Sequence, residues 1–387
     1  MMTPTRVPNY IPDVLFVCKF LLVMLVAGAT TALQKSVAEP AADAAAEKER
    51  DALVLTLGTS RPDPINLPSV SRVNVRDAKL ESILPRMKYP WAFEFINKSE
   101  ILLTQHAGKL LHIDLNSGVS KLIGGLPDIA VGTGQMGLLD VALHPEFESN
   151  RRIYLSYAKP YEGSDRYSVL EVVTAVLSGQ QLVDMRPLVN YGRYSWAPSN
   201  FGGALMFDDE GHLFITFGDR GEETGATRRG DSLEGKVLRL TDLGEVPSDN
   251  PFVGVEGYDP RVFAVGLRNA QGLAFDSPTG MLVEVEHGPL GGDEVNVIEA
   301  GHDYGFPTVS YGGYYADARP FGQGTHAEGT EQPIFYFLPS IAASKVMIYR
   351  GSMFPEWNGH IFVTALAGQH VAKLDLDGSV VRSSYSI

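Results

Sequence analysis

The sequence is poor in cysteine and in positive charge. Cys18 is the only cysteine among 387 residues, so no disulfide can form within one chain. The 32 lysine and arginine residues are outnumbered by 46 aspartate and glutamate residues, which gives a formal net charge of -14. Because nucleic-acid binding needs concentrated lysine and arginine, this balance argues against a nucleic-acid partner.

The chain also lacks an apolar run of the length that a membrane span requires. The run from Val14 to Val26 is interrupted by Lys19 and is shorter than the ~20 residues of a spanning helix. It follows Arg6 and precedes a series of small residues, the order typical of a secretory signal. We therefore predict a signal peptide or N-terminal apolar segment at 1–35, a linker at 36–69, and an exported, periplasmic or secreted mature chain without a membrane span.

The residues from 70 to 387 carry no sustained helical period and many turn residues. With 40 glycines and 24 prolines in the chain, short apolar runs alternate with Gly, Pro, Asn and Asp, which predicts an all-β fold. A strand–turn–strand unit recurs, and radial repetition of small sheets, a β-propeller, explains it best. The unit occurs as LLDVALHPEFESNRRIYLSYA, GALMFDDEGHLFITFGD, GLAFDSPTGMLVEVEHG and KVMIYRGSMFPEWNGHIFVTAL.

The densest group of chemically distinctive residues lies between Gly266 and Gly312. Here Arg268 and Asn269 precede one strand pattern, and a Gly-Pro turn near Asp293 follows the next. Glycine-rich loops with charged and amide groups at strand ends are common places for ligands. This stretch is therefore the first candidate for a functional site.

Seven segments between about Tyr89 and Gly378 follow one another in a pattern that a known enzyme family shares. They are GQMGLLDVALHPEFESNRRIYLSYA, NFGGALMFDDEGHLFITFGDRG, GKVLRLTDLGEVPSDNPF, GLRNAQGLAFD, HGPLGGDEVN, YGFPTVSYG and GTEQPIFYF. Together they resemble the soluble aldose sugar dehydrogenases that use pyrroloquinoline quinone (PQQ) and, more distantly, the glucose and sorbosone dehydrogenases. The resemblance implies a six-bladed β-propeller with a cofactor cleft near the axis, here with an apparently incomplete last blade.

The resemblance also implies functional residues. Arginine suits PQQ because this tricarboxylate offers paired acceptors, and calcium takes oxygen ligands. The residues implied are Gln135, Arg268 and Asn269 for PQQ, the carbonyls of Gly288 and Pro289 for a calcium ion that activates the quinone, and Glu294 and Tyr304 for a second calcium.

Three positions depart from the family pattern. The family has a histidine base before Phe-Gly-Gly, where this chain has Asn200, and asparagine cannot accept a proton. Ala204 and Ala367 replace an arginine and a PQQ-contacting lysine of the family. The expected basic pair beyond this late strand is not found before Ile387, so the resemblance implies weaker cofactor contacts.

Two hypotheses about function follow. The first is PQQ- and calcium-dependent oxidation of an aldose at its anomeric carbon to the lactone, with Arg268 in the active site, Asn200 at the base position, and electrons passing to an external acceptor. The alternative is a catalytically impaired propeller that binds a carbohydrate or a protein. The sequence leaves open which sugar is used and whether the chain forms a homodimer.

Overall fold

The structure is a computed structural model that describes residues 70–72, 82–162, 164–190, 194–221, 225–378 and 380–386. The predicted signal segment, the predicted linker and Cys18 lie outside these residues. Besides strands, the described residues form one short helix, α1 (Phe147–Asn150), and two 3-10 turns (Ala226–Arg228 and Pro355–Trp357). The strands are β1 (Val70–Arg72), β2 (Pro90–Phe95), β3 (Glu100–Gln105), β4 (Lys109–Asp114), β5 (Ser120–Ile123), β6 (Leu138–Leu143), β7 (Arg152–Tyr161), β8 (Ser164–Ser178), β9 (Gln181–Asn190), β10 (Gly202–Phe207), β11 (His212–Phe217), β12 (Lys236–Thr241), β13 (Val262–Ala264), β14 (Ala270–Asp276), β15 (Met281–Glu286), β16 (Asp293–Val297), β17 (Phe335–Phe337), β18 (Ala343–Ile348), β19 (Ile361–Ala365), β20 (His370–Asp377) and β21 (Val380–Ser386).

These strands form five antiparallel sheets taken in chain order. Four sheets contain four strands each: β2–β5, β6–β9, β10–β13 and β14–β17. The fifth contains β18–β21, with β1 added in parallel on the outer edge of β21. The first strands of successive sheets pack against one another, β2 on β6, β6 on β10, β10 on β14 and β14 on β18. They are therefore the innermost strands, as in a β-propeller.

The expectation of a propeller is confirmed, but the expectation of six blades is wrong for the described residues, which form five. The last blade is not incomplete either. The turn at Asp377-Gly378 joins β20 to β21 and gives this sheet its fourth strand, while β1 pairs with the outer edge of β21. The number six came from the family resemblance, whereas the strand pairings of this chain complete five sheets.

The apolar pattern of the strands follows from their position between two neighbouring sheets. In β11, Leu213 and Ile215 pack towards the second sheet, whereas Phe214 packs towards the fourth. Because successive side chains point to opposite faces, a strand that is covered on both faces must be apolar at every position. This explains why the recurring units read as continuous apolar runs and not as alternating ones.

Hydroxyl groups join neighbouring blades close to the axis. Thr104, Ser156 and Thr216 occupy the second strands of the first three sheets, and each accepts a bond from the backbone N–H of its own first strand. Each also donates to a first-strand carbonyl of the next sheet, at distances of 2.6, 2.6 and 3.0 Å. These bonds pair backbone groups that the bulged first strands would otherwise leave unsatisfied.

An ion pair crosses the centre of the propeller. Lys345, on β18, donates to Oδ2 of Asp140, on β6, so the pair joins the fifth sheet to the second. The same oxygen accepts the N–H of Leu205 from the third sheet at 3.0 Å, and Oδ1 accepts that of Val141 at 2.9 Å. The Asp140 side chain is 5% exposed and that of Lys345 32% exposed. The Asp140 carboxylate, on the second sheet, thus bonds to groups of the third and fifth sheets close to the axis.

None of the helices in the described part of the chain has the length and apolarity that a membrane crossing would need.

We expect the Lys345–Asp140 ion pair, here called the axial pair, to contribute measurably to stability. Replacing Lys345 by Met leaves the Asp140 carboxylate buried without its cation, and breaking a buried pair costs ~3–5 kcal/mol. We expect a loss near the lower limit, about 3 kcal/mol, because Lys345 is partly exposed. Urea unfolding measures it, and the double variant Lys345→Met, Asp140→Asn should be less destabilised than Lys345→Met alone.

The matched control is Arg382→Met, which breaks the exposed pair with Asp377. Exposed pairs contribute ~0–1 kcal/mol, so this variant should unfold at nearly the wild-type urea concentration. Equal losses in Lys345→Met and Arg382→Met would show that the axial pair does not join the blades.

Candidate active site

One end of the propeller gathers most of the residues predicted to be functional. In an antiparallel sheet the first strand begins at the end where the second strand stops. Gln135 precedes β6, Asn200 precedes β10, and the pair Arg268–Asn269 precedes β14, whereas Gly288 follows β15. These residues therefore lie on loops that meet at the same end, around the innermost strands.

A chain of amide side chains connects the loops of three blades there. Oε1 of Gln135 accepts the backbone N–H of Phe201 at 3.1 Å, and its Nε2 donates to Oε1 of Gln271 at 3.4 Å. Gln271 donates in turn to Oδ1 of Asn269 at 2.9 Å, and that oxygen also accepts the N–H of Gly202 at 3.3 Å. The predicted cofactor residues Gln135 and Asn269 are thus joined through Gln271 in one row of amides, here called the amide wall.

Arg268 lies next to this wall and carries the positive charge of the site. Its Nη1 donates to the carbonyls of His287 and Gly288 at 2.8 and 3.2 Å. Its guanidinium carbon lies 5.9 Å from the centre of the Phe306 ring. Carbonyl oxygens are weaker partners for a guanidinium than carboxylates are, so this arginine is well suited to bind an anionic ligand.

Glu286 fixes the backbone from which Arg268 and Asn269 project. Its Oε2 accepts the N–H of Arg268 at 2.5 Å and that of Asn269 at 3.1 Å. The carboxyl is fully enclosed, and burial raises its pKa to about 7, although the two N–H donors and the Arg268 charge oppose the rise. These two hydrogen bonds fix the backbone that carries the Arg268 and Asn269 side chains.

Glu286 belongs to a buried acidic cluster on one face of the fourth sheet. Glu284 lies two residues before it on β15, and Glu294 is its partner on β16. Burial and mutual repulsion raise the pKa of Glu284 and of Glu294 well above the usual range. Glu284 Oε1 and Asn296 Oδ1 are sealed from solvent without a hydrogen-bond partner. Burial of three acids together favours their protonated forms at neutral pH.

Asn200 is the residue at which the resemblance implied a histidine base. It has a left-handed backbone, with φ of 57°, a conformation that asparagine tolerates better than most residues. Its Nδ2 donates to Oδ1 of Asp219 at 2.8 Å, and Gly221 N donates to the same oxygen at 2.9 Å. Asp219 N donates to the Arg268 carbonyl at 2.7 Å. Asn200 and Arg268 are thus joined through Asp219.

The Gly-Pro turn is tightly packed, and its carbonyls already have partners. The turn is held by Gly288 N, which donates to Asp293 Oδ1 at 3.2 Å, and a Cβ at Gly288 would lie 2.2 Å from the Gly291 carbonyl. The Pro289 carbonyl accepts Gly313 N at 2.7 Å, and that of Gly288 accepts Arg268. Each carbonyl keeps a second lone pair, so the donor set fits a calcium ion if Arg268 turns away.

The two residues predicted to bind a second calcium are not brought together by a hydrogen bond. The Tyr304 hydroxyl donates to the Val297 carbonyl at 2.6 Å and accepts Glu299 N at 2.9 Å, and burial raises its pKa. Glu294 lies in the acidic cluster instead. A metal-like grouping of three His, Asp or Glu side chains occurs once in the described residues, at Asp208, Glu210 and His212, which lie on the β10–β11 turn at the opposite end of the third sheet.

The two alanines that replace basic residues of the family supply no charge to the site. Ala204 is buried between the third and fourth sheets, and its N–H donates to Thr216. Ala367 follows β19, and its N–H donates to the Ile341 carbonyl. Among the residues that the resemblance implied for the cofactor, Arg268 is the one with a positive charge.

Sequence reasoning missed three residues of the site: Asp219, Glu286 and Gln271. Asp219 follows β11 in Gly-Asp-Arg-Gly, a charged pair between glycines at a strand end, and this signal could have revealed it. Glu286 and Gln271 lie within strands whose apolar pattern they interrupt. Such interruptions predict a buried polar partner but do not identify it.

Comparison with known proteins gives a consistent result. Residues 87–387 match the family model described as Glucose / Sorbosone dehydrogenase. The chain is similar to the aldose sugar dehydrogenase YliI of Escherichia coli, with 36% identity over 306 residues, covering 78% of this chain and 81% of the relative. It is also similar to quinoprotein glucose dehydrogenase B of Acinetobacter calcoaceticus, with 28% identity over 340 residues, covering 81% and 69%. A solved glucose dehydrogenase structure shares 37% identity with a TM-score of 0.73, covering 77% and 86%.

The acidic cluster predicts how stability depends on pH. The folded-state pKa of Glu286 is about 7, above the usual 4.5, so its contribution to stability is complete below pH 4.5 and is lost as the pH rises through 7. At ~1.4 kcal/mol for each pKa unit, the loss is on the order of 3 kcal/mol. Urea unfolding with a chelator present should show this decline, and Glu286→Gln should make it shallower, since Glu284 and Glu294 also have raised pKa values.

The control for this experiment is Glu210→Gln, because the Glu210 side chain is 70% exposed. That variant should keep the wild-type dependence on pH. A wild-type protein whose stability is constant or rises between pH 4.5 and 7 would contradict the assignment of a raised pKa to Glu286.

Proposed function

This chain belongs to the glucose/sorbosone dehydrogenase family, and from that premise we propose that it oxidises aldose sugars with PQQ and calcium. The anomeric carbon of the sugar is oxidised to the lactone, and the electrons pass to an external acceptor. The observation that carries the proposal is the meeting of Gln135, Asn269 and Arg268 at one end of the axis. The name of the Acinetobacter relative, a quinoprotein, supports the same cofactor.

The donor set at this end fits the chemistry of PQQ. The tricarboxylate needs a cation and hydrogen-bond donors, and Arg268 and the Gln135 amide supply them from two different blades. The amides are held by Gln271 and by backbone groups, so they are preorganised for a rigid planar ligand. The bound quinone would supply the hydride acceptor that the protein side chains lack.

The protein residues have separate roles in this proposal. Arg268 binds a carboxylate of the cofactor, while Glu286 holds the Arg268 backbone in place. Gln135 and Asn269 set the orientation of the ring system within the wall of amides. The carbonyls of Gly288 and Pro289 hold calcium, and Glu294 and Tyr304 remain proposed ligands of a second ion. Asn200 holds the Asp219 carboxylate by a hydrogen bond.

Export to the periplasm or the medium is proposed on the segment at 1–35. A sugar dehydrogenase that delivers electrons to an external acceptor needs access to both sugar and acceptor. The alternative function, a propeller that binds a carbohydrate without oxidising it, is supported by Asn200, since an amide replaces the family's base there. The two functions differ in whether bound cofactor is reduced by sugar.

Cofactor binding gives the first test of the proposal. Isothermal calorimetry of the wild-type protein with PQQ in calcium-containing buffer should show saturable binding at one site. Arg268→Met should weaken it ~10- to 100-fold, because a hydrogen bond to a charged group contributes ~1.5–3 kcal/mol. The matched control is Arg382→Met, which removes an exposed arginine from the fifth sheet and should leave the affinity unchanged.

Reduction of the bound cofactor by aldoses, followed by absorbance, then separates the two functions. Oxidation of at least one aldose with formation of the lactone supports the dehydrogenase. Saturable PQQ binding without any reduction by aldoses would favour the binding propeller, and a folded protein that does not bind PQQ would end the proposal.

A further inference from the structure

Asn200 leaves the proposed reaction without the base that removes the proton of the sugar hydroxyl. Four of the other proton-accepting groups near this end of the propeller are held by neighbours or sealed from solvent. His287 has its Nε2 sealed from solvent, as has His106. Both oxygens of Asp293 accept the Ser340 hydroxyl, and they also bind Gly288 N and Ala343 N. Glu286 Oε2 accepts the backbone N–H groups of Arg268 and Asn269, which hold the carboxyl beneath that backbone.

Asp219 differs from these groups because the hydrogen bonds that it accepts from the described residues engage only one of its two carboxylate oxygens. Its Oδ1 accepts Asn200 Nδ2 and Gly221 N, at 2.8 and 2.9 Å, which fixes the orientation of the carboxylate. Its Oδ2 accepts no hydrogen bond from the described residues. That oxygen is also absent from the set of unpartnered side-chain atoms that are sealed from solvent. Oδ2 is therefore not sealed from solvent, in a residue that is 2% exposed as a whole.

We propose that Asp219 is the general base of this protein and that its Oδ2 accepts the proton of the anomeric hydroxyl. The proposal rests on the proposed function and adds the residue that replaces the missing histidine. In the oxidation, the C1–H bond breaks and its electron pair passes as hydride to the quinone oxidant. The O1–H bond breaks with its proton passing to Asp219, and its electron pair completes the C1–O1 double bond of the lactone.

The surroundings of Asp219 suit this role. Burial raises its pKa, while the Arg268 and Arg220 charges and the hydrogen bonds from Gly221 and Asn200 oppose the rise. The Asp219 charge in turn raises the pKa of the Glu286 carboxyl on the fourth sheet. A base is most effective when its pKa lies towards the working pH, so a carboxylate in this environment is a better base than an exposed one.

Asn200 acts on the reaction through Asp219. Its amide holds Oδ1, so the second oxygen points away from that bond. The Arg220 guanidinium, stacked 3.4 Å over the Phe201 ring, binds the carbonyls of Ala197 and Ser199 at 2.6 and 2.7 Å. These contacts hold the loop that carries Asn200. The asparagine is thus a positioning residue for the base.

The test compares Asp219→Asn with wild-type protein loaded with PQQ. Asparagine keeps an oxygen for the Asn200 and Gly221 donors, so the loop should keep its shape. We expect kcat for aldose oxidation to fall ~100-fold or more, with unchanged affinity for PQQ. In the wild type, kcat/KM should fall as the pH is lowered through the pKa of the base, and this acid limb should be lost in Asp219→Asn.

Two further measurements separate a base from a structural carboxylate. In cofactor-free protein with 13C-labelled aspartate, NMR should show a carboxyl that titrates above the usual range of aspartate and is missing in Asp219→Asn. The matched control, Asp208→Asn, changes a half-buried carboxylate that accepts turn N–H groups at the other end of the same sheet. It should keep kcat, PQQ affinity and the acid limb.

The outcomes distinguish this proposal from the proposed function. Asp219→Asn with wild-type kcat, or with lost PQQ affinity or lower stability than Asp208→Asn, would overturn the role of Asp219 alone. Wild-type protein that binds PQQ but oxidises no aldose would overturn the dehydrogenase and the base together. Loss of kcat and of the acid limb, with PQQ affinity intact, supports Asp219.

Discussion

The buried carboxylate of Asp140 is the point at which the blades of this propeller are joined. It lies on a first strand near the axis and accepts hydrogen bonds from Lys345 of the fifth sheet and Leu205 N of the third. Such a carboxylate would be costly without these partners, because burial removes its hydration. The bonds that satisfy this carboxylate fix three blades relative to one another. The hydroxyl groups that link successive sheets add further bonds between blades. The loops above the axis can then meet with defined geometry.

The geometry of the candidate site depends on that arrangement of blades and on a second buried carboxylate, that of Glu286. Residues before first strands and after second strands meet at one end, so Gln135, Arg268 and Gly288 come together from distant parts of the chain. Glu286 accepts two adjacent backbone N–H groups and thereby directs Arg268 and Asn269 into the site. The acidic cluster around it reduces stability as the pH rises. Proteins often accept such a cost where a functional geometry must be rigid.

The sequence predicted much of the fold and less of the site. The four recurring units are the first two strands of the second to fifth sheets. Blade number could not be predicted from local patterns, because β1 pairs with a strand more than three hundred positions later. Gln135 and Asn269 were identified by resemblance, and the structure places them on one wall. The Gly-Asp-Arg-Gly sequence could have marked Asp219 as a candidate, but its contact with Asn200, 19 residues away, is visible only in the structure.

A crystal structure of the protein soaked with PQQ and calcium tests the central claim, that this end of the axis is a cofactor cleft, most directly. The account predicts density for the planar ring system beside the wall of Gln135 and Asn269, with Arg268 turned from the carbonyls of His287 and Gly288 to a cofactor carboxylate. Calcium would then lie on the freed carbonyl of Gly288. A well-ordered crystal in which the cleft holds no cofactor and Arg268 remains on those carbonyls would contradict the account.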